Sequence, residues 1–290
     1  MAFEIITDSS ANLTDDLISK FNIKIVSLSF FVDDEEYMSY KENEKTDISK
    51  FYKMMRSGKV IKTSLVNESK FRESFEKYLK EGKDILYIGM SSGISGTYNA
   101  SVLAANSLKE KYPDRNIVVI DSLSVSLGQG LLVYYAANMK ESGCSIDEIK
   151  NWLLLNRLKM QHKFTVDDLM FLKRGGRISA TVAVVGSMLN IKPLLKVNDS
   201  GALVTEGKAR GRKKSLDFLF DSLENAYDLE NQVLGITHGD CIEDVNYLVD
   251  KIKLKYNNKN IIINYVDPVV GAHSGPGTLA LFFMADNQNR

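Results

Sequence analysis

Asp84-Ile-Leu-Tyr-Ile-Gly89-Met90 followed by Ser91-Ser-Gly93-Ile-Ser95-Gly96-Thr97 and then Tyr98-Asn-Ala-Ser-Val-Leu-Ala-Ala105 predicts a buried strand, a tight loop and a helix. The apolar run Ile85–Ile88, bounded by turn signals, suits a strand covered on both faces. Gly93 and Gly96 free the backbone so that main-chain N–H groups can converge, and Ser91, Ser92, Ser95 and Thr97 crowd hydroxyls around the same point. The helix behind adds unpaired N–H groups and the positive end of its dipole. Such a loop seats an anion, a phosphate or a carboxylate. The plainer alternative is a tight strand-to-helix turn with Thr97 as N-cap.

Outward from this stretch the pattern repeats. Phe3–Ile6 reads as a strand delivering Thr7-Asp-Ser-Ser-Ala-Asn12 to its C-terminal end, and Thr14 caps the next helix. Ile23–Val32 reads as one strand, Asp33–Glu44 as an acidic loop, and Phe51, Met54 and Met55 as one face of a helix ending at Gly58. Lys62-Thr63-Ser64 precedes an amphipathic helix over Glu68–Lys80, and Ile117–Ile120 is a buried strand ending in Asp121-Ser122. This alternation predicts an α/β protein whose N-terminal half is a parallel, helix-covered sheet with working loops at the strands' C-terminal ends.

Ser145-Ile-Asp-Glu148 is a capping box for a helix over Ile146–Leu158. Beyond it the rhythm changes to strands at His162–Val166, Ile191–Val197, Ala202–Gly207, Val233–Ile236, Ile261–Val266 and Thr278–Met284. Asp199-Ser-Gly201 marks a hairpin, and helices are expected over Ser215–Tyr227 and Glu243–Tyr256. The expected organisation is therefore two domains: an α/β unit over 1–160 and an α+β unit with a mixed sheet over 161–290, with final strands able to return to the first.

The chain has 290 residues, 44% of them apolar, and its 37 Lys and Arg balance 37 Asp and Glu. That balance supplies no field for nucleic acid. Cys144 and Cys241 form no C-x-x-C, the N-terminus shows no signal peptide, and the apolar runs near Val182 and Leu279 are too short for a bilayer. A cytoplasmic protein that is not an integral membrane protein is expected. No two of the three histidines have metal-ligand spacing, and no nucleotide-binding glycine motif is present, so no metal or cofactor is expected.

Two readings compete for the chemistry. Gly89-Met-Ser91-Ser-Gly93 fits a nucleophile elbow, with Asp121 or Asp240 and then His273 in triad order. That would make a serine hydrolase acting on lipid-like esters, although an Ile-Ser-Gly segment delays the helix. The other reading is an anion site in which His273, within the glycine-rich loop His273–Gly277, supports Thr63, Ser64 and the serine loop. His162 and His238 read as structural. Lys173-Arg174-Gly-Gly-Arg177 and Lys208-Ala-Arg210-Gly-Arg212-Lys213-Lys214 are the dense basic clusters.

Thr7-Asp-Ser-Ser-Ala-Asn-Leu13, Thr63-Ser64, Ser91-Ser-Gly-Ile-Ser-Gly-Thr-Tyr98 and Asp121-Ser122 occur in that order. Leu172-Lys-Arg-Gly-Gly-Arg-Ile-Ser179, Ile191-Lys-Pro-Leu-Leu195 and Val269-Val-Gly-Ala-His-Ser-Gly-Pro-Gly277 complete the series. With these motifs the chain resembles the DegV family over essentially its whole length. The resemblance implies two α/β domains holding one long-chain fatty acid between them, with no catalysis of their own. It places the carboxylate on Thr63 and Ser95 with His273 close by, and Ser92 and Gly96 belong to the same loop. It further implies a separate fatty acid kinase catalytic subunit as partner, met by Arg177 and Arg210. The chain departs from the family pattern at Leu65-Val66, where Gln-Pro is common.

Overall fold

Residue-by-residue alternation explains the layers of this protein, seen in a computed structural model that describes residues 2–42, 44, 46–178 and 190–286. The strands of the first half are β1 (Phe3–Asp8), β2 (Lys24–Val26), β3 (Ser29–Val32), β4 (Glu35–Met38), β5 (Ile61–Ser64), β6 (Asp84–Gly89) and β7 (Ile117–Asp121). In the order β2-β1-β6-β7 four of them form a parallel sheet, and β4-β3-β5 form a small antiparallel one. Beyond residue 159 come β8 (Met160–Thr165), β9 (Ile191–Val197), β10 (Leu203–Arg210), β11 (Leu234–His238), β12 (Ile261–Tyr265) and β13 (Leu279–Met284). These six make one mixed sheet in the order β10-β9-β8-β13-β11-β12. The class is α/β, a helix-covered parallel sheet joined to a mixed sheet, as expected.

On β6, Ile85 and Tyr87 face one apolar cluster while Leu86 and Ile88 face another. On β13, Ala280, Phe282 and Met284 share the cluster of Leu86, and Leu279, Leu281 and Phe283 face the helices Arg212–Asp221 and Ile242–Tyr256. Both strands are thus buried on both faces, which is why they read as continuous apolar runs. Between the two sheets lies the helix Leu127–Glu141, apolar on nearly every side. Having no polar face, it has no amphipathic period to betray it, and sequence reasoning did not find it.

Three local expectations need correction. Ile23–Val32 is not one strand, because the chain breaks after Val26 and enters the small sheet at Ser29. The acidic segment after it is not all loop: β3 and β4 form a hairpin whose turn residues, Asp33 and Asp34, have φ of 51° and 66°. Two successive left-handed residues match the twist of a two-residue hairpin, and aspartate tolerates that conformation. Lastly, His273 lies in a helix, Pro268–Ser274, rather than a loop. Asp267 caps it, accepting the N–H groups of Val269 and Val270 at 3.3 and 3.0 Å, and Pro268 occupies the first turn where no N–H is needed.

Other elements follow their sequence signals closely. Thr14, Asn67 and Ser145 cap their helices through side chains, and Ser145 with Glu148 completes the capping box. The apolar run near Val182 lies outside the described residues. Among the described residues, no helix is long and apolar enough to cross a membrane.

Candidate functional site

The loops at the C-terminal ends of the parallel sheet face the inner side of the six-stranded sheet across a cavity of about 200 Å³. A single water needs only about 10–15 Å³ on this measure, so the space suits a ligand. Its floor is set by register: Phe282 pairs with His162, and Ala280 pairs with Phe164 on one side and Thr237 on the other. Leu28, Met90, Val125, Val266 and Val269 close over it from the first half of the chain and the His273 segment. Most of the lining is apolar, as a hydrocarbon requires.

The polar end is assembled from four segments. Thr63, on β5, places its Oγ1 2.8 Å from His273 Nε2. Ser95 sits in the turn before the helix Thr97–Lys111, its Oγ accepting the Thr97 N–H at 3.2 Å and lying 2.9 Å from Thr97 Oγ1. Thr97 is therefore not the cap; Gly96 is, and Ser95 supplies the oxygen. Arg177 donates from Nε to the Ile94 carbonyl at 3.4 Å and from its terminal nitrogen to the Gly175 carbonyl. Gly175 itself packs so closely on His273 that a Cβ there would collide with Nδ1. Leu65 lies over the same end, 3.2 Å from where a Gly96 Cβ would stand. All of these residues line the cavity apart from Thr97 and Gly175.

Burial, and secondarily the charge of Arg177, lowers the His273 imidazole to about 4. It is neutral at physiological pH and acts there as a hydrogen-bonding group. Partial burial also pulls the Arg177 guanidinium below its ordinary value, and among the described residues no carboxylate forms an ion pair with it. A neutral imidazole, two hydroxyls and one half-buried guanidinium make a seat for a single carboxylate.

Thr63, Ser95, Gly96, His273 and Arg177 are thus brought together. Ser92 is not: it is exposed and off the cavity lining, its N–H held by Asp121 Oδ1 at 3.2 Å. Arg210, exposed at the end of β10, also lies off the cavity lining, which Arg177 joins. The hydrolase arrangement does not form. Ser91 is fully buried and donates to the Gly201 carbonyl at 2.7 Å, while His273 is engaged with Thr63. Asp121 is occupied by backbone N–H groups and Asp240 pairs with Arg56.

Asp8, from the first motif, proves to be architectural. Its buried carboxylate accepts from Tyr87 Oη at 2.8 Å, Met90 N at 3.0 Å and Gln129 Nε2 at 3.1 Å, locking β1 to β6 and the central helix. The polar lining residues Ser126, Thr237 and Ser274 were missed: Ser126 ends the alternating run Ser122-Leu-Ser124-Val-Ser126, the other two stand next to His238 and His273, and nothing in those patterns separates a lining hydroxyl from a structural one.

Fold and site together define a class: a two-sheet α/β protein enclosing an apolar cavity with a carboxylate-sized polar end. The chain belongs to the DegV family; residues 2–286 match the family model described as "Uncharacterised protein, DegV family". A DegV domain-containing protein of Clostridium perfringens is 48% identical over 287 residues, covering 99% of this chain and 98% of that one. Among solved structures, a DegV lipid-binding protein from Thermotoga maritima is similar with a TM-score of 0.85 at 28% identity, over the full length of both chains. A DegV family protein from Thermus thermophilus, described for its fatty acid binding, gives 0.86 at 26% identity over 98% of this chain and 100% of that one.

Proposed function

We propose that this protein binds one long-chain fatty acid in the inter-sheet cavity and presents its carboxylate to a separate ATP-dependent fatty acid kinase subunit. The observation that carries the binding step is the cavity's division into an apolar body and one polar end, where Thr63, Ser95, His273 and Arg177 converge. The similar structures described as lipid- or fatty-acid-binding support it.

Burial of each methylene contributes about 0.8 kcal/mol, so a tail of roughly fifteen offers ~12 kcal/mol before association costs. The tail therefore dominates affinity and the polar end sets orientation. The protein itself is a carrier without catalysis: the half-buried Thr63 and Ser95 hydroxyls orient the acid, and Arg177 offsets charge at the carboxylate. Arg210, exposed beyond the cavity, is free to meet the partner subunit.

Mass spectrometry of lipid extracted from protein purified without added ligand tests the binding step. Near-stoichiometric fatty acid is expected, and its absence, together with no uptake of added acid, would overturn the reading. The kinase step is tested by reconstitution with the catalytic subunit and ATP, with acyl phosphate formation as the readout.

A further inference from the structure

We infer that the cavity selects acyl chains bearing a hydroxyl group part-way along the tail, a hydroxy fatty acid. The inference rests on the fatty-acid reading above and deepens it. A plain hydrocarbon tail needs no polar neighbour, yet the buried wall of the cavity contains Ser126, Thr237, His162, Thr278 and Ser274, each no more than 5% exposed. Burying polar groups against methylenes is unfavourable unless they are paired.

The direction of the hydrogen bonds shows what these groups lack. Ser126 Oγ donates to Asn12 Oδ1 at 2.6 Å, and Asn12 in turn hydrogen-bonds the Asp267 carboxylate, which fixes its amide nitrogen toward Asp267 and its oxygen toward Ser126. Thr237 Oγ1, 3.0 Å from Ser126 Oγ, must then be the donor of that pair. Its proton is committed while its lone pairs remain. Thr278 likewise spends its proton on the carbonyls of Gly275 and Ser274, at 2.7 and 3.0 Å. His162 Nδ1 lies 3.1 Å from the Met160 carbonyl and so carries the ring proton, and its Nε2 accepts from the Val125 N–H at 3.4 Å, so both ring nitrogens are engaged. Thr237 and Thr278 therefore present acceptors to the cavity. Ser274 adds an independent sign: its Oγ is buried, lines the same cavity and has no hydrogen-bond partner among the described residues, so its proton and its lone pairs are both unspent.

An acceptor wall is satisfied by a donor. A hydroxyl supplies one and can also accept the unspent Ser274 proton, whereas a keto oxygen can only accept and a double bond does neither. Register places the site inward of the head group. Thr237 pairs with Ala280, two residues along β13 from Thr278, whose hydroxyl is tied to Ser274 beside His273. The hydroxyl thus falls in the chain's interior rather than next to the carboxylate.

The test is competitive binding of octadecanoic acid, its mid-chain hydroxy derivatives and the matching oxo derivatives to the full-length protein and to Thr237→Val and Ser274→Ala. At least one hydroxy isomer is expected to bind about tenfold (about 1.4 kcal/mol) tighter than its oxo counterpart. The ratio of hydroxy to plain acid is expected to fall several-fold in Thr237→Val. Equal affinity for hydroxy and oxo acids in the unmodified protein, or a ratio unchanged by Thr237→Val, would overturn the inference, with bound water then satisfying the wall. Binding of plain acid without hydroxyl preference sinks this inference alone; failure to bind any of these acids sinks the fatty-acid reading with it. The comparison in the unmodified protein decides even where a variant does not fold.

Discussion

Thr63 Oγ1 and His273 Nε2 lie 2.8 Å apart although 210 residues separate them in the chain. One comes from the edge of a three-stranded sheet, the other from the last turn of a short helix near the C-terminus. Their contact closes the polar end of the cavity, and it exists only when both halves of the chain are folded together.

Removing either head-group hydroxyl should weaken binding without abolishing it. A hydrogen bond to a charged group contributes about 1.5–3 kcal/mol, so Thr63→Ala or Ser95→Ala should each raise the Kd for a long-chain acid about ten- to a hundredfold. The double variant should fall short of the sum, because both hydroxyls serve one anion. The methyl ester of the same acid is the control: if acid and ester lose affinity equally in a titration, these hydroxyls are structural.

Gly175→Ala should damage the same end by crowding. The added Cβ meets His273 Nδ1, and overpacking of this kind typically costs 1–3 kcal/mol. The expected result is acid affinity about tenfold weaker with ester affinity changed less, read by calorimetry. Unaltered binding would show that His273 can retreat without consequence.

Arg177 and Arg210 should separate in function. The expectation from the motifs grouped them at a partner surface, whereas Arg177 lines the cavity and Arg210 is exposed on β10. Arg177→Gln should weaken acid binding severalfold. Arg210→Gln should leave binding intact and slow phosphorylation of the acid in a reconstituted kinase assay, as loss of a docking charge does. The reverse pattern would exchange their roles.

Acid should act on stability through two opposed groups. Burial pushes Asp267 up to about 6 from 3.8, so the folded state keeps a proton that the unfolded chain releases, and acidification through 6 adds stability. Burial and Arg177 hold His273 at about 4 against 6.5, so the unfolded chain gains a proton first, and acidification from 6.5 toward 4 removes stability. Between pH 7 and 5, His273→Gln should therefore lose less stability than the parent protein, and Asp267→Asn should lose more. Urea midpoints at the two pH values check the signs; parallel shifts in both variants would contradict them.

Ser91 should be inert toward a fluorophosphonate probe, since it is fully buried and its proton serves the Gly201 carbonyl. Stoichiometric labelling at Ser91 that disappears in His273→Ala would restore the hydrolase reading.

Sequence by itself determined the elements whose cause is local. The Ser145–Glu148 capping box, the strand Asp84–Gly89 with its glycine-and-serine loop, and the strand Ile191–Val197 all stand where composition and period put them. It also marked Thr63, Ser95 and His273, because hydroxyls, glycines and a histidine at strand ends are visible one segment at a time. Tertiary structure alone decided the rest. The helix Leu127–Glu141 is buried against both sheets and has no period to read, and the β3–β4 hairpin hides in an acidic stretch because its turn depends on backbone angles. The exposure of Ser92, the placement of Arg177 on the cavity lining and the acceptor wall around Thr237 depend on which strand pairs with which. Register and packing over long separations set those positions, and no local pattern encodes them.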